Sequence, residues 1–328
     1  VVIKQLSEVV KNNPDSIELY LALGNLFRSQ SDLERAIHLR QTIIARPNLD
    51  PKFKARAWYE LGIDYKRAGL IDRAIYALKQ SKKILGNDPN ILRVLATIYA
   101  QSNDFKQAVE YYEKLGDPIA QAHYLAKWSK QKQDKEKLHL LKRALHIYIG
   151  SPEAWLELLL TNWKDNKIKE FKNNLEQALS NIEKDINFTI LEGIYQEFKK
   201  SSDSKLNAFI WEIHNVISTI NPDILLTYYN ALFLLLIGEE DKARIWLEKT
   251  LLLNTNFWPA RLVLLKLDKD KQSLPENFRL HLDFFIEKAS FVKKFNCRRC
   301  GLKREVIFFI CPRCSSWHSI AFRKQLND

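Results

Sequence analysis

The sequence predicts a mostly α-helical protein: a right-handed superhelix of about seven stacked helix pairs, finished by a small C-terminal domain held by four cysteines. Three observations predict it. A pattern of aromatic, Leu-Gly, aromatic and Ala returns along the chain with a period of about 34 residues. All four cysteines of the 328-residue chain lie between positions 297 and 314. Only 9 Gly and 10 Pro interrupt the sequence, and there is no low-complexity tract.

The repeat is clearest in "YLALGNLFRSQSDLERAI" and "WYELGIDYKRAGLIDRAI". This is the tetratricopeptide pattern, in which two antiparallel helices, A and B, cross at small residues. Repeats begin near positions 17, 55, 89, 118, 152, 186 and 224. Position 8 is then Gly24, Gly62, Ala96, Leu125, Leu159, Gly193 and Ala231. Position 20 is Ala36, Ala74, Ala108, Lys137, Phe171, Lys205 and Ala243, so repeats four to six depart from the pattern. No helix pair buries its apolar face alone, and neighbours must stack.

The apolar run "ILLTYYNALFLLLIG" is too short for a bilayer crossing of about 20 residues and reads as a buried helix. "WPARLVLLKL" reads as one more A-type helix. A last helix opens at Pro275 with Phe278, Leu282, Phe285, Ala289 and Val292 on one stripe. It is expected to cap the superhelix and carry the cysteine domain over its exposed end. The domains divide as 1–275 (repeats), 276–294 (capping and connecting helix) and 295–328 (metal-binding domain). The N-terminus carries no signal-peptide pattern.

The glycines argue against a nucleotide-dependent enzyme. Each has a place at a helix crossing, a turn or beside Cys300, and neither a P-loop nor a G-x-G-x-x-G sequence occurs. The histidines are scattered on helices without H-E-x-x-H, and His318 reads as solvated. No serine sits in a G-x-S-x-G elbow. The chain is expected to be a non-enzyme.

Cys297, Cys300, Cys311 and Cys314 form C-x2-C-x10-C-x2-C. Two tight turns each present two thiolates, and a hairpin brings them together around one tetrahedral ion, Zn or Fe. "REVIFFI" is the expected hairpin strand, and Gly301 turns the chain after Cys300. With all four positions filled by protein, the ion is expected to be structural. The last 36 residues hold nine basic side chains against Glu305 and Asp328. Part of that charge offsets an anionic metal centre; the remainder suits an anionic membrane surface or nucleic acid.

The repeats with "QAHYLAKWSKQ" and the terminal C-x-x-C-G…C-P-x-C-x-x-W resemble the lipopolysaccharide assembly protein B family over essentially the whole chain. The resemblance implies a rubredoxin-like C-terminal domain with these four cysteines as ligands. It also implies an N-terminal anchor in the bacterial inner membrane, with these domains on its cytoplasmic side. Its implied function is a non-enzymatic adaptor that restrains lipopolysaccharide biosynthesis by promoting FtsH-dependent degradation of the lipid A deacetylase. Lipopolysaccharide assembly and transport proteins are further implied partners. Ser315 stands where a rubredoxin has Gly, which speaks against electron transfer.

Helix-A positions of the first three repeats place Asn25, Arg28, Arg56, Lys66, Asn90 and Arg93 on the concave face, a basic, amide-bearing groove suited to an acidic peptide. A nucleic-acid-binding role for the basic zinc ribbon is the less favoured alternative.

Overall fold

The computed structural model describes residues 5, 8, 9, 12, 13, 16–201, 205–269 and 271–325. The N-terminal stretch read for a leader lies largely outside the described residues, and Asp328 lies entirely outside them.

Helices begin where short polar side chains and prolines start them. Asp32, Asp50, Asp88, Asp104, Ser151 and Asp223 each accept a hydrogen bond from a first-turn N–H, satisfying donors that a helix leaves open. Pro51, Pro89 and Pro152 occupy the first helical position, where no donor is lost. The turn between paired helices takes a left-handed residue at the same repeat position in five pairs: Ser31, Gly69, Asn103, Asn166 and Gly238.

The resulting pairs are α1 (Ile17–Ser29) with α2 (Leu33–Ile44), α3 (Pro51–Arg67) with α4 (Ile71–Leu85), and α5 (Pro89–Gln101) with α6 (Phe105–Leu115). The chain continues through α7 (Pro118–Ser129) and α8 (Asp134–Ile147), then α9 (Pro152–Lys164) paired with α10 (Ile168–Asn181), α11 (Phe188–Lys200), α12 (Leu206–Thr219), and α13 (Ile224–Leu236) paired with α14 (Glu240–Leu253). Two more helices, α15 (Trp258–Lys269) and α16 (Glu276–Ser290), precede a small sheet. The expected fold class is the observed one: mostly helical, of tetratricopeptide type, ending in a four-cysteine cluster. No helix among the described residues is long and apolar enough to cross a membrane.

All seven residues predicted at position 8 are buried. A Cβ at Gly62 would lie 2.6 Å from Leu78 of the paired helix, so only glycine lets α3 and α4 approach this closely. At position 20, Ala36, Ala74, Ala108, Phe171 and Ala243 are buried as expected. Lys137 and Lys205 are not, because the preceding turns shift the register. Leu140, Leu141 and Ala144 face the core on α8, and Lys205 becomes the cap before Leu206 and Phe209.

The chain forms two compact units, residues 1–128 and 129–328. In the first, successive helices from α1 to α6 stack as neighbours. In the second, the A helices α9, α11 and α13 lie side by side, with α10 against α12 behind them. The sheet of this second unit is antiparallel in the order β2-β1-β3, with β1 (Phe295–Cys297), β2 (Lys303–Arg304) and β3 (Ile320–Phe322).

Two expectations are corrected here. "REVIFFI" does not form a strand: after Arg304 the chain bends at residues 305–306 and returns only at an isolated Ile310–Trp317 bridge. The last helix does not bury its stripe, since α16 has no buried residue and Phe285 is 66% exposed. The cysteine domain takes a different seat, against Phe188 rather than on this helix.

Candidate metal centre

β1 ends on Cys297, and the chain turns so that the Gly301 N–H donates to the Cys297 carbonyl at 2.9 Å while Cys297 N–H donates to Leu302. Around the second pair, Ser315 N–H donates to the Cys311 carbonyl at 2.8 Å and Cys311 N–H donates to Ser316. Gly301 and Ser315 both take positive φ, 70° and 55°. Serine thus makes the turn that glycine makes in the first knuckle, and the two knuckles are equivalent.

The four sulfurs lie within 4.8 Å of one another. Cys297 and Cys314 sulfurs are 3.7 Å apart, and Cys300 and Cys311 sulfurs 3.5 Å. A tetrahedron with metal–sulfur bonds of about 2.3 Å has edges of about 3.8 Å, whereas a disulfide would need about 2.05 Å. The donor set therefore fits one tetrahedral ion.

The surroundings stabilise thiolate selectively. Burial disfavours the Cys297 thiolate, but the Ser319 hydroxyl at 3.2 Å, the Cys300 and Arg299 N–H groups and the Ser316 hydroxyl outweigh it and hold this thiol down at about 5. The Leu302 N–H favours the Cys300 thiolate, yet burial and the other three thiols push Cys300 up to about 12. Ser316, by its hydroxyl at 3.0 Å and its N–H, lowers Cys314. Four thiolates this close need a cation among them.

The cysteine domain lies across the A helices of repeats five to seven rather than over the end of the stack. Alternation along β1 and β3 puts Phe295 and Phe322 on one face, paired across the strands. Both rings pack on Phe188 of α11, with centroids at 5.9 and 5.8 Å. Phe322 also meets Tyr228 and Tyr229 of α13, and Phe257 beside α15. Full burial of a phenylalanine contributes about 1.5–3 kcal/mol, so these two anchors outweigh any single surface contact.

Polar contacts orient the anchors. Trp258 Nε1 donates to the Arg323 carbonyl at 3.1 Å, and the buried Arg323 guanidinium donates to the Lys293 carbonyl at 2.8 Å. His318 is not solvated, contrary to expectation. Its Nε2 sits 3.0 Å from Glu153 at the start of α9, and its ring stacks on Tyr148. Arg298 reaches Asp185 at 2.7 Å. Arg298 and Arg323, of the nine basic residues near the C-terminus, are therefore engaged within the fold. Sequence reasoning missed Glu153, Ser316, Ser319 and the two anchoring phenylalanines; of these, only the serines beside the cysteines carry a local signal.

In the first unit, Asn25 and Arg28 come together with Arg40, Glu60 and Asp64. Arg28 pairs with Glu60 and, at 3.2 Å, with Asp64. Arg40, fully buried, donates to Asn25 at 2.6 Å and to the Leu21 carbonyl, and lies 3.5 Å from Asp64. Arg56, Asn90 and Arg93 are exposed and Lys66 half-buried. The three basic side chains make no ion pair among the described residues.

A tetratricopeptide-type helical protein with a C-terminal four-cysteine knuckle is the class that fold and site define. A family model described as Tetratricopeptide repeat matches residues 91–118. Nearly end to end, the chain is similar to lipopolysaccharide assembly protein B. It is 22% identical to that of Escherichia coli strain K12 over 95% of this chain and 82% of the relative. Identity to that of Haemophilus influenzae is 24%, over 97% and 82%. A solved tetratricopeptide repeat protein from Parabacteroides merdae overlaps with a TM-score of 0.40 at 16% identity, over 75% of this chain and 96% of that one.

Two outcomes follow. Native protein is expected to carry one metal ion per chain by mass spectrometry. Cys311→Ser removes it, and Ser319→Ala lowers metal affinity by about 10–100-fold in chelator competition; full affinity in both variants would contradict the assignment. Asp64→Ala leaves buried Arg40 without its charge partner and lowers stability by about 3–5 kcal/mol in denaturant titration. An unchanged midpoint would show that Asp64 does not balance it.

Proposed function

We propose that this chain is a non-enzymatic adaptor in the control of lipopolysaccharide biosynthesis. Its helix repeats hold partner proteins at the cytoplasmic face of the inner membrane, where it promotes FtsH-dependent degradation of the lipid A deacetylase. Lipopolysaccharide assembly proteins and the anionic membrane surface complete the set of partners. The observation that carries this reading is the near end-to-end similarity to lipopolysaccharide assembly protein B, repeats and knuckle together.

The chemistry of the site supports it. Cys297, Cys300, Cys311 and Cys314 act as ligands of one Zn or Fe ion. Four protein sulfurs close the tetrahedron and leave no position for substrate or water, as in structural sites. The ion serves as a fastener that shapes residues 295–328 for docking on the repeats. In this scheme 1–275 form the repeat domain and 276–294 the connecting helix. Asn25, Arg28, Arg56, Lys66, Asn90 and Arg93 form a partner surface of the first repeats.

The test is the deacetylase half-life in cells depleted of this chain. Depletion lengthens it several-fold, the intact chain restores it, and a Cys297→Ser, Cys300→Ser double variant does not. An unchanged half-life on depletion would remove the proposed target.

A further inference from the structure

A groove of about 880 Å³ opens in the second unit between α9, α11 and the loop that joins the two cysteine knuckles. Leu156, Leu160 and Gly193 line its helical side, and Val306 and Ile307 its loop side. A Cβ at Gly193 would lie 2.5 Å from a terminal methyl of Leu156, so any larger residue there would displace that side chain. Val306 is 65% exposed, an apolar side chain presented rather than packed. The volume is in the range of sites that enclose a ligand of a few residues.

The charges around this groove are unequally satisfied. Lys130 and Lys137 are both engaged by Glu157, at 3.1 and 2.7 Å, and Lys200 by Glu197 at 2.9 Å, whereas Lys164 and Glu305, which also line the groove, make no ion pair among the described residues. Glu192 lines the same groove and is 3% exposed. Its carboxylate accepts from the Tyr229 hydroxyl and from the Gln196 amide, each at 2.8 Å. Burial and the Glu192 charge itself keep Tyr229 protonated. Both donors are neutral, and Glu192 has no ion pair among the described residues. A buried carboxylate held by neutral donors still lacks the opposite charge that offsets its desolvation.

We propose that this groove takes an arginine or lysine side chain, flanked by apolar residues, from an extended segment of a partner protein, with Glu192 as its counter-ion. The cation forms a charge-assisted hydrogen bond to Glu192. The flanking apolar side chains lie on Leu156 and Leu160 on one side, and on Val306 and Ile307 on the other. The site is incomplete without the loop between the knuckles, which joins the metal domain to partner recognition. This inference rests on the reading of the repeats as a partner-binding scaffold.

The probes are fluorescein-labelled peptides Leu-Val-X-Val-Leu with X as Arg, Gln or Glu, titrated by anisotropy against the full metal-loaded chain. The Arg peptide is expected to bind at least about tenfold tighter than the Gln peptide, the gain of one charge-assisted contact. The Glu peptide is expected to be weakest. Glu192→Gln, which keeps an acceptor for Tyr229, brings the Arg and Gln peptides within twofold of each other. Val306→Ser weakens all three by a similar factor, and circular-dichroism melts confirm that both variants fold. Equal binding of the Arg and Gln peptides, or no saturable binding by any, overturns the proposal. If the deacetylase half-life responds to depletion while the peptides fail, the groove assignment alone falls. If the peptides discriminate while the half-life is unmoved, the groove stands and the adaptor's target falls.

Discussion

Four sulfur atoms within 4.8 Å of one another, two pairs of them 3.7 and 3.5 Å apart, set the condition on which the C-terminal domain depends. Thiolates at that separation repel, and only a shared cation turns the repulsion into cohesion. The backbone prepares for it with two equivalent knuckles, each folded by an N–H from the residue after the second cysteine onto the carbonyl of the first. The chain from Phe295 to Phe322 is too short to bury a core of its own. Its apolar face is buried against Phe188, Tyr228, Tyr229 and Phe257 instead, so an ion held by the four sulfurs would fasten the same segment that docks on the repeats.

The two units handle buried charge in different ways. In the first, Arg40 and Asp64 are both fully buried and are balanced by each other, Arg28 and Asn25. Such a cluster is internally complete: it engages the half-buried Arg28 with two carboxylates, while Asn25 stays exposed beside it. In the second unit the balance is incomplete: Glu157 takes two lysines while Glu192 takes only neutral donors. The first arrangement fixes the stacking of early repeats, and the second leaves an electrostatic demand facing a cavity.

Much of this was legible in the sequence, because it is local. Residues at fixed offsets, such as Gly62 against Ala74, announce the helix pairs, and C-x2-C-x10-C-x2-C announces the cysteine cluster. The repeat starts survive even where the small residue at position 20 is missing, as in repeats four to six. What stayed hidden is non-local. Nothing near Phe322 says that it meets Phe188, nothing near His318 says that Glu153 waits for it, and the stripe on α16 reads as buried until the domain after it is seen to sit elsewhere. The "REVIFFI" segment was misread for a related reason: its β-forming side chains line the groove, as Val306 and Ile307 do, or are buried, as Phe308 is, rather than forming a ladder.

The central claim is that the ion fastens the C-terminal domain onto the A helices of repeats five to seven. Hydrogen exchange on metal-loaded and chelator-treated protein tests it most directly. The account predicts that removing the ion strips protection both from residues 295–325 and from the helix segments they cover, around Phe188, Tyr228 and Phe257, while α1 to α6 are unchanged. Protection lost only within 295–325, with the covered helices unaffected, would contradict it.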